Sequence, residues 1–235
     1  MRLRWESGEP DEAARRLAAV VGPAQPVAAG GGAADAGPAA SQRVAHDPAE
    51  FRLRNAVIEV SATGARDATA DRLIVIDERP DGRAAATGTV GTAAVTLVGI
   101  GIATVDIERF AAERDWRMAA AMDDTLLGAT AAVTSGAKED MPAATPSIVL
   151  LEPNTEGRIA ASLARHGEGP AVVYLWPESG IDDARAEVGR RGYRPTPIAT
   201  GPFGRAFAIG GGAWGPHLVV VESGVLCDPA RIRAP

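Results

Sequence analysis

The stretch "IVLLEPNTEGRIAASLARHGEGPAVVYLWP", residues 148–177, decides the fold. Two apolar runs rich in β-branched residues, each ended by proline, read as strands. Between them "NTEGRIAASLARHG", residues 154–167, reads as a connecting helix. On the second strand Val172, Tyr174 and Trp176 alternate onto one face, because strand side chains repeat every two residues. Only 4% of the chain is aromatic, so placing two large rings there is a conspicuous use of a scarce resource.

Outward from this stretch the pattern repeats. Upstream lie a strand, "VTLVGIGIATV" (95–105), and a helix, "DIERFAAERDW" (106–116), with Asp106 as N-cap and Ile107, Phe110 and Ala111 as its apolar stripe. A strand "TLLGATAAVTS" (125–135) and the polar "GAKEDMPAAT" (136–145) follow. Downstream come the helix "IDDARAEVGRRG" (181–192) and the strands "GRAFAIG" (204–210) and "PHLVVVES" (216–223). Near the start, the strand "MRLRWES" precedes the helix "PDEAARRLAAVVG", where Ala13, Leu17 and Val20 recur at helical spacing, Asp11 and Glu12 favour the N-terminus and Gly22 ends it. "FRLRNAVIEVSA" (51–62) and "DRLIVIDE" (71–78) read as strands. Single helices interrupting strands at similar intervals imply a repeated β-α-β-β-β unit. The expected organisation is an N-terminal unit over 1–79 with a flexible Pro- and Gly-rich loop at 22–45, a linker at 80–93, a two-module domain over 94–224 and a tail at 225–235.

Composition narrows the function. The 235 residues can bury a real core, and 46% hydrophobic with 23% charged residues is ordinary for a soluble globular chain. The net charge of −6 is spread over interleaved acids and bases, so no basic face for nucleic acid is expected. No apolar run approaches the roughly 20 residues of a membrane helix, and the charged opening does not read as a signal peptide. The single Cys227 reads as an inert thiol of a reducing cytoplasm.

From about Val95 to Ser223 the chain resembles the vicinal oxygen chelate superfamily, which includes glyoxalases, methylmalonyl-CoA epimerases and bleomycin-resistance proteins. "GIGIATVDIERFAA" is similar to the family's opening strand and helix, "IVLLEPNTEGRIAASLARHGEGPAVVYL" to its crossover, and "FGRAFAIGGGAWGPHLVVVES" to its closing hairpin. The resemblance implies an α+β fold in which paired βαβββ modules form curved mixed sheets around a cavity, with the N-terminal unit as a divergent extra copy. It also implies four inward metal-ligand positions, which here are Gly99, Val149, Val172 (or Ala171, one register off) and Val219. A metal needs lone pairs, and glycine and valine side chains supply none. The expected metal and cofactor are therefore none.

If Val172 and Val219 descend from ligand positions, their same-face neighbours inherit the cavity wall. The expected ligand-binding set is Tyr174, Trp176, Arg205, Phe207, Trp214 and His217, a cup suited to a planar or anionic organic molecule. No catalytic residue is assigned. Glu152 is expected to act structurally, near the N-terminus of the helix that follows it. The glycine runs lack a following Lys-Ser/Thr, the Gly99–Gly101 pair lies within a strand, and no GxSxG elbow occurs. Three functions compete. The first is a metal-free binder of a small organic molecule, cytoplasmic, with no nucleic-acid or membrane partner and a homodimer as its candidate assembly. The second is a glyoxalase-, epimerase- or dioxygenase-type enzyme with a displaced metal or none. The third is a structural or regulatory module whose cavity is filled, which a bulky side chain occluding the cavity would favour.

Overall fold

The first strand shows how the sequence builds its layers. In "RLRWES", Leu3, Trp5 and Ser7 are buried while Arg4 and Glu6 are half-buried, so one face of the strand enters the core. The computed structural model describes residues 2–7, 9–22, 49–54, 56–62, 72–76, 95–135, 146–210 and 215–223. Of the expected loop at 22–45 all but Gly22 lies outside them, as do the linker at 80–93, the tail from 225 and His46, Trp214 and Cys227.

The N-terminal unit runs β1 (Arg2–Ser7), α1 (Pro10–Val21), β2 (Ala49–Arg52), β3 (Val57–Ala62) and β4 (Arg72–Ile76). Its four strands lie in the order β2-β3-β1-β4, with β1 parallel to β3 and antiparallel to β4. On α1, Ala13, Arg16, Leu17 and Ala19 are buried, and the Arg16 guanidinium lies 5.4 Å from the centre of the Trp5 ring.

The larger unit runs β5 (Val95–Ala103), α2 (Ile107–Ala112), β6 (Arg117–Met118), β7 (Met122–Asp124), β8 (Ala129–Ser135), β9 (Ser147–Pro153) and α3 (Arg158–His166). It continues with β10 (Gly169–Pro177), α4 (Ile181–Arg190), β11 (Ala199–Gly201), β12 (Gly204–Ala208) and β13 (His217–Val221). One nine-stranded sheet holds all of these strands, in the order β11-β12-β13-β10-β5-β9-β8-β6, with β7 also on β8. The two halves repeat each other: β5 is parallel to β9 as β10 is to β13, and the remaining pairs are antiparallel. The halves join through β5 and β10, antiparallel. The sheet curls until its outlying strands β7 and β11 touch.

Alternation along each strand then makes two cores. The outer face, with Leu97, Ile100, Val173, Leu175, Phe207, Leu218 and Val220, packs against α4 and against Leu3, Trp5, Leu17, Phe51 and Ile58 of the N-terminal unit. Farther along, α2 sets Ile107, Phe110 and Ala111 on Ile102, Ala132 and Leu150. Each such side chain fully buried contributes about 1.5–3 kcal/mol. The inner face is covered by α3 through Ile159 and Leu163.

Three expectations need correcting. In the N-terminal unit the single run read over 51–62 is divided into β2 and β3, and β1 is flanked by β3 on one side and β4 on the other. Helix α2 stops at Ala112, where the chain turns through Asp115, held at a φ of 52°. Residues 125–128 form a turn rather than strand, and the preceding β6 and β7 went unread in a segment of mixed polarity. Among the described residues no helix is long and apolar enough to cross a membrane.

Candidate functional site on the inner face

The four positions implied by the resemblance share the inner face. Val149, Val172 and Val219 are at most 1% exposed and belong to one buried cluster. Strand pairing carries that face from strand to strand: Val149 is opposite Gly101, Val172 is opposite Gly101 and His217, and Tyr174 is opposite Gly99 and Val219.

Gly99 explains itself by what stands over it. A methyl at this position would lie 2.7 Å from Cζ of Phe203, well inside any real carbon contact. Phe203 comes from the tight connection between β11 and β12, where Gly204, at a φ of 86°, takes a conformation that favours glycine. From there the ring reaches across the curled sheet to meet Tyr174, with centroids 5.1 Å apart and planes tilted by 54°. Gly101 is just as constrained, since a methyl there would meet Val172 Cβ and Leu151 Cδ1 at 2.7 Å. Phe203 is 1% exposed and Tyr174 is fully buried.

Polar groups are set into this apolar face. Asp124, at the end of β7, is 1% exposed. Its Oδ1 accepts from the Leu127 amide at 3.1 Å, and a methyl on Gly201 would lie 3.2 Å from its Oδ2, so the carboxyl bridges the approach of β7 to β11. Burial raises its pKa to about 6, opposed by the amides of Leu127 and Leu126. His217, on β13, is 4% exposed; burial, followed by the Arg158 charge, lowers its pKa to about 4. The Tyr174 hydroxyl is buried, and burial followed by the Asp124 charge raises its pKa well above the ordinary phenol value. Among the described residues neither Tyr174 Oη nor His217 Nε2 has a hydrogen-bond partner. From α3, Arg158 donates to the carbonyl of Leu126 at 3.1 Å, tying the helix to the turn that follows Asp124.

The structure divides the expected ligand-binding set. Tyr174, His217 and the half-buried Trp176 belong to the inner face. Arg205 and Phe207 do not, which corrects the single pocket expected from the sequence. Ala206 pairs with Val221 and Ala208 with Val219, so the inner positions on β12 are the alanines. Phe207 lies in the outer core beside α4. Arg205 is exposed and bound by Asp182 at 3.1 Å and Glu222 at 3.1 Å. Parity along one strand was legible, but its phase relative to β13 was not. Trp214 lies outside the described residues.

Glu152 is structural at a different helix from the one expected: its Oε2 accepts from the Ile107 amide at 3.0 Å, at the start of α2. A second carboxylate braces the same corner. Glu168 accepts from Thr104 Oγ1 at 2.5 Å, from the Val105 amide at 3.0 Å and from Arg109. Thr104, and after it Arg109, holds its pKa down at about 2. Sequence reasoning missed Asp124 and Phe203. The available signals were a phenylalanine in a two-residue hairpin connection, in a chain with four phenylalanines, and an aspartate opening a turn.

The topology from Val95 to Ser223, two β-α-β-β-β modules joined edge to edge in one curled mixed sheet, is a glyoxalase-like fold. Solved structures similar to this chain include methylmalonyl-CoA epimerase from Mycobacterium tuberculosis, at 20% identity and a TM-score of 0.47, covering 62% of this chain and 97% of that one. The hypothetical protein BH1468 from Bacillus halodurans matches at 20% identity and a TM-score of 0.44, over 57% and 98%. A methylmalonyl-CoA epimerase in complex with methylmalonyl-CoA matches at 21% and 0.42, over 55% and 98%. No family model and no curated protein matches the chain. Gly99, Val149, Val172 and Val219, the positions that the resemblance implies for a metal, carry no side-chain donor atom, and among the described residues no three His, Cys, Asp or Glu side chains gather as a ligand set.

Proposed function

We propose that this chain is a non-catalytic, metal-free glyoxalase-like module with a structural or regulatory role, its inner face serving as a core instead of a substrate cavity. One observation carries this reading: the Phe203 ring occupies the space over Gly99 and closes on Tyr174, with both rings buried. A side chain large enough to ligate from position 99 and a ring at 203 exclude each other sterically. The same reading keeps the chain in a reducing cytoplasm, with Cys227 as a free thiol.

The test is metal analysis of the purified protein, with thermal unfolding in the presence of zinc, nickel, cobalt, manganese, methylmalonyl-CoA and small aromatic carboxylates. The expected result is no retained metal and no stabilisation. A dialysis-resistant stoichiometric metal, or turnover of methylmalonyl-CoA, overturns the reading in favour of an enzyme.

A second reading has one observation in its favour. Tyr174 Oη and His217 Nε2 are buried on the same face without partners among the described residues, and buried polar atoms are ordinarily paired. A small planar or anionic molecule could pair with both after displacing Phe203, with Trp176 at the edge of the site. A screened compound that stabilises the protein, and loses at least about tenfold in affinity in Trp176→Ala, establishes this reading over the first.

A further inference from the structure

The two halves of the sheet meet twice. At the centre, β5 and β10 are joined by a ladder of backbone pairs. At the far side, β7 pairs only with β8 and β11 only with β12, so no ladder of described residues closes the seam although the strands touch. What fills the seam is a carboxyl group: Asp124, on the last residue of β7, lies against Gly201, the last residue of β11. A carboxyl group changes its demand for water when it loses a proton, and a charged one buried without a basic partner is costly.

We propose that Asp124 is a proton-operated latch on the β7–β11 seam, which stays shut while the carboxyl is neutral and opens toward the inner face when it is charged. The surroundings suit that role. The Leu127 amide holds Oδ1 from within its own turn, so the group is fixed in place before it titrates. From β10, Tyr174 faces it with a neutral phenol, and from β11 Gly201 offers no side chain. From α3, Arg158 is engaged with the Leu126 carbonyl rather than with the carboxylate. Beyond Arg158, His217 on β13 is neutral above about pH 4. On its own strand, Asp123 is exposed and accepts from Asn154 at 3.4 Å. With a closed-state pKa of about 6, the latch is mostly charged at pH 7 and mostly neutral at pH 5. The inference concerns access to the inner face and stands whichever reading of that face's function holds.

Amide hydrogen exchange of the full chain, corrected for the intrinsic pH dependence of exchange, tests it. Residues 124–127 and 199–201 should open about tenfold more at pH 7 than at pH 5, as expected for a group whose pKa falls to its ordinary value when solvated. Asp124→Asn keeps an oxygen for the Leu127 amide but cannot ionise, so its protection should be the same at both pH values. Tyr174→Phe should retain the wild-type pH dependence. A wild-type seam indifferent to pH overturns the latch. So does an Asp124→Asn protein that still responds, or a response abolished by Tyr174→Phe, which would make the phenol the titrating partner.

Discussion

The two faces of the nine-stranded sheet are made from the same strands, one residue out of phase, yet they are built differently. The outer face is aliphatic and aromatic side chains covered by α2, α4 and a whole second sheet. The inner face carries glycines at 99 and 101 and sets Asp124, Tyr174 and His217 among its apolar residues. A face that exists only to pack has no need of buried ionisable groups, since burying an unpaired polar group costs stability. The outer face follows packing rules alone, and the inner face carries buried ionisable groups that packing does not require.

The largest effect should come from uncovering the outer face. A chain beginning at Val95 would expose Leu97, Val173, Leu175, Leu218 and Val220 where Leu3, Trp5 and Phe51 now lie. It should be insoluble or molten, with dye binding and lost near-ultraviolet dichroism as the readout. A well-folded 95–235 fragment would show that the two units are independent.

Next, Phe203→Ala and Phe207→Ala compare the faces directly, four residues apart and both at most 1% exposed. Each should cost about 3–5 kcal/mol in denaturant unfolding. They should differ in their coupling to Gly99. Gly99→Ala in the wild type drives a methyl into Phe203 and should cost about 1–3 kcal/mol, and in Phe203→Ala that penalty should largely vanish. In Phe207→Ala it should persist undiminished.

The buried ionisable groups predict opposite pH slopes. Asp124 has a pKa raised to about 6 against an ordinary 3.8, so its folded form holds a proton longer than the unfolded chain does. Stability from this group is therefore full below about pH 4 and is lost as pH rises through 6. His217, lowered to about 4 from 6.5, resists protonation when folded, and stability is lost as pH falls from 6.5 through 4. Each shift of about two units corresponds to roughly 3 kcal/mol, so the two should offset each other between pH 4 and 6. Asp124→Asn should unmask a steep acid loss, and His217→Phe a rise in stability on acidification. Parallel slopes in the two variants would refute the assignment.

A smaller effect is expected from Tyr174→Phe, which deletes a buried hydroxyl without a partner among the described residues and leaves the ring on Phe203. The change should be neutral or stabilising by up to about 1 kcal/mol. A loss of stability would mean that the hydroxyl is already paired within the protein, which would remove the observation behind the second functional reading.

How much of this was legible in the sequence follows from which physical signals are local. Helix caps and β-branched runs gave α1, α4 and the strands β9, β10, β12 and β13 nearly at their observed limits, because those signals lie within a few residues. The inner-facing phase of Val172, Tyr174, His217 and Val219 was also readable, since it needs only a period of two along one strand. What failed was anything set by pairing between strands. The phase of Arg205 and Phe207 depends on Ala208 pairing with Val219. Phe203 was hidden for a related reason: nothing near "TGPFGR" says that its ring will reach a glycine a hundred residues earlier in the chain.

The smallest effect tests the correction at Arg205. Its guanidinium is exposed and shared between Asp182 on α4 and Glu222 just past β13, and those two carboxylates, Asp182 first, raise its pKa. Exposed pairs gain little, because water already solvates both charges and ordering long side chains opposes the contact. Arg205→Met should therefore change stability at the limit of detection in chemical unfolding. It should leave the pH responses of Asp124 and His217 intact, since it stands on the other side of the sheet from both. Had Arg205 lined the inner face, its removal would strip a positive charge from their surroundings and move both titrations toward higher pH. Following the His217 imidazole resonance by NMR from pH 3 to 8 in Arg205→Met decides this. An unmoved midpoint keeps the arginine on the outer face, and a shifted one returns it to the cup expected from sequence.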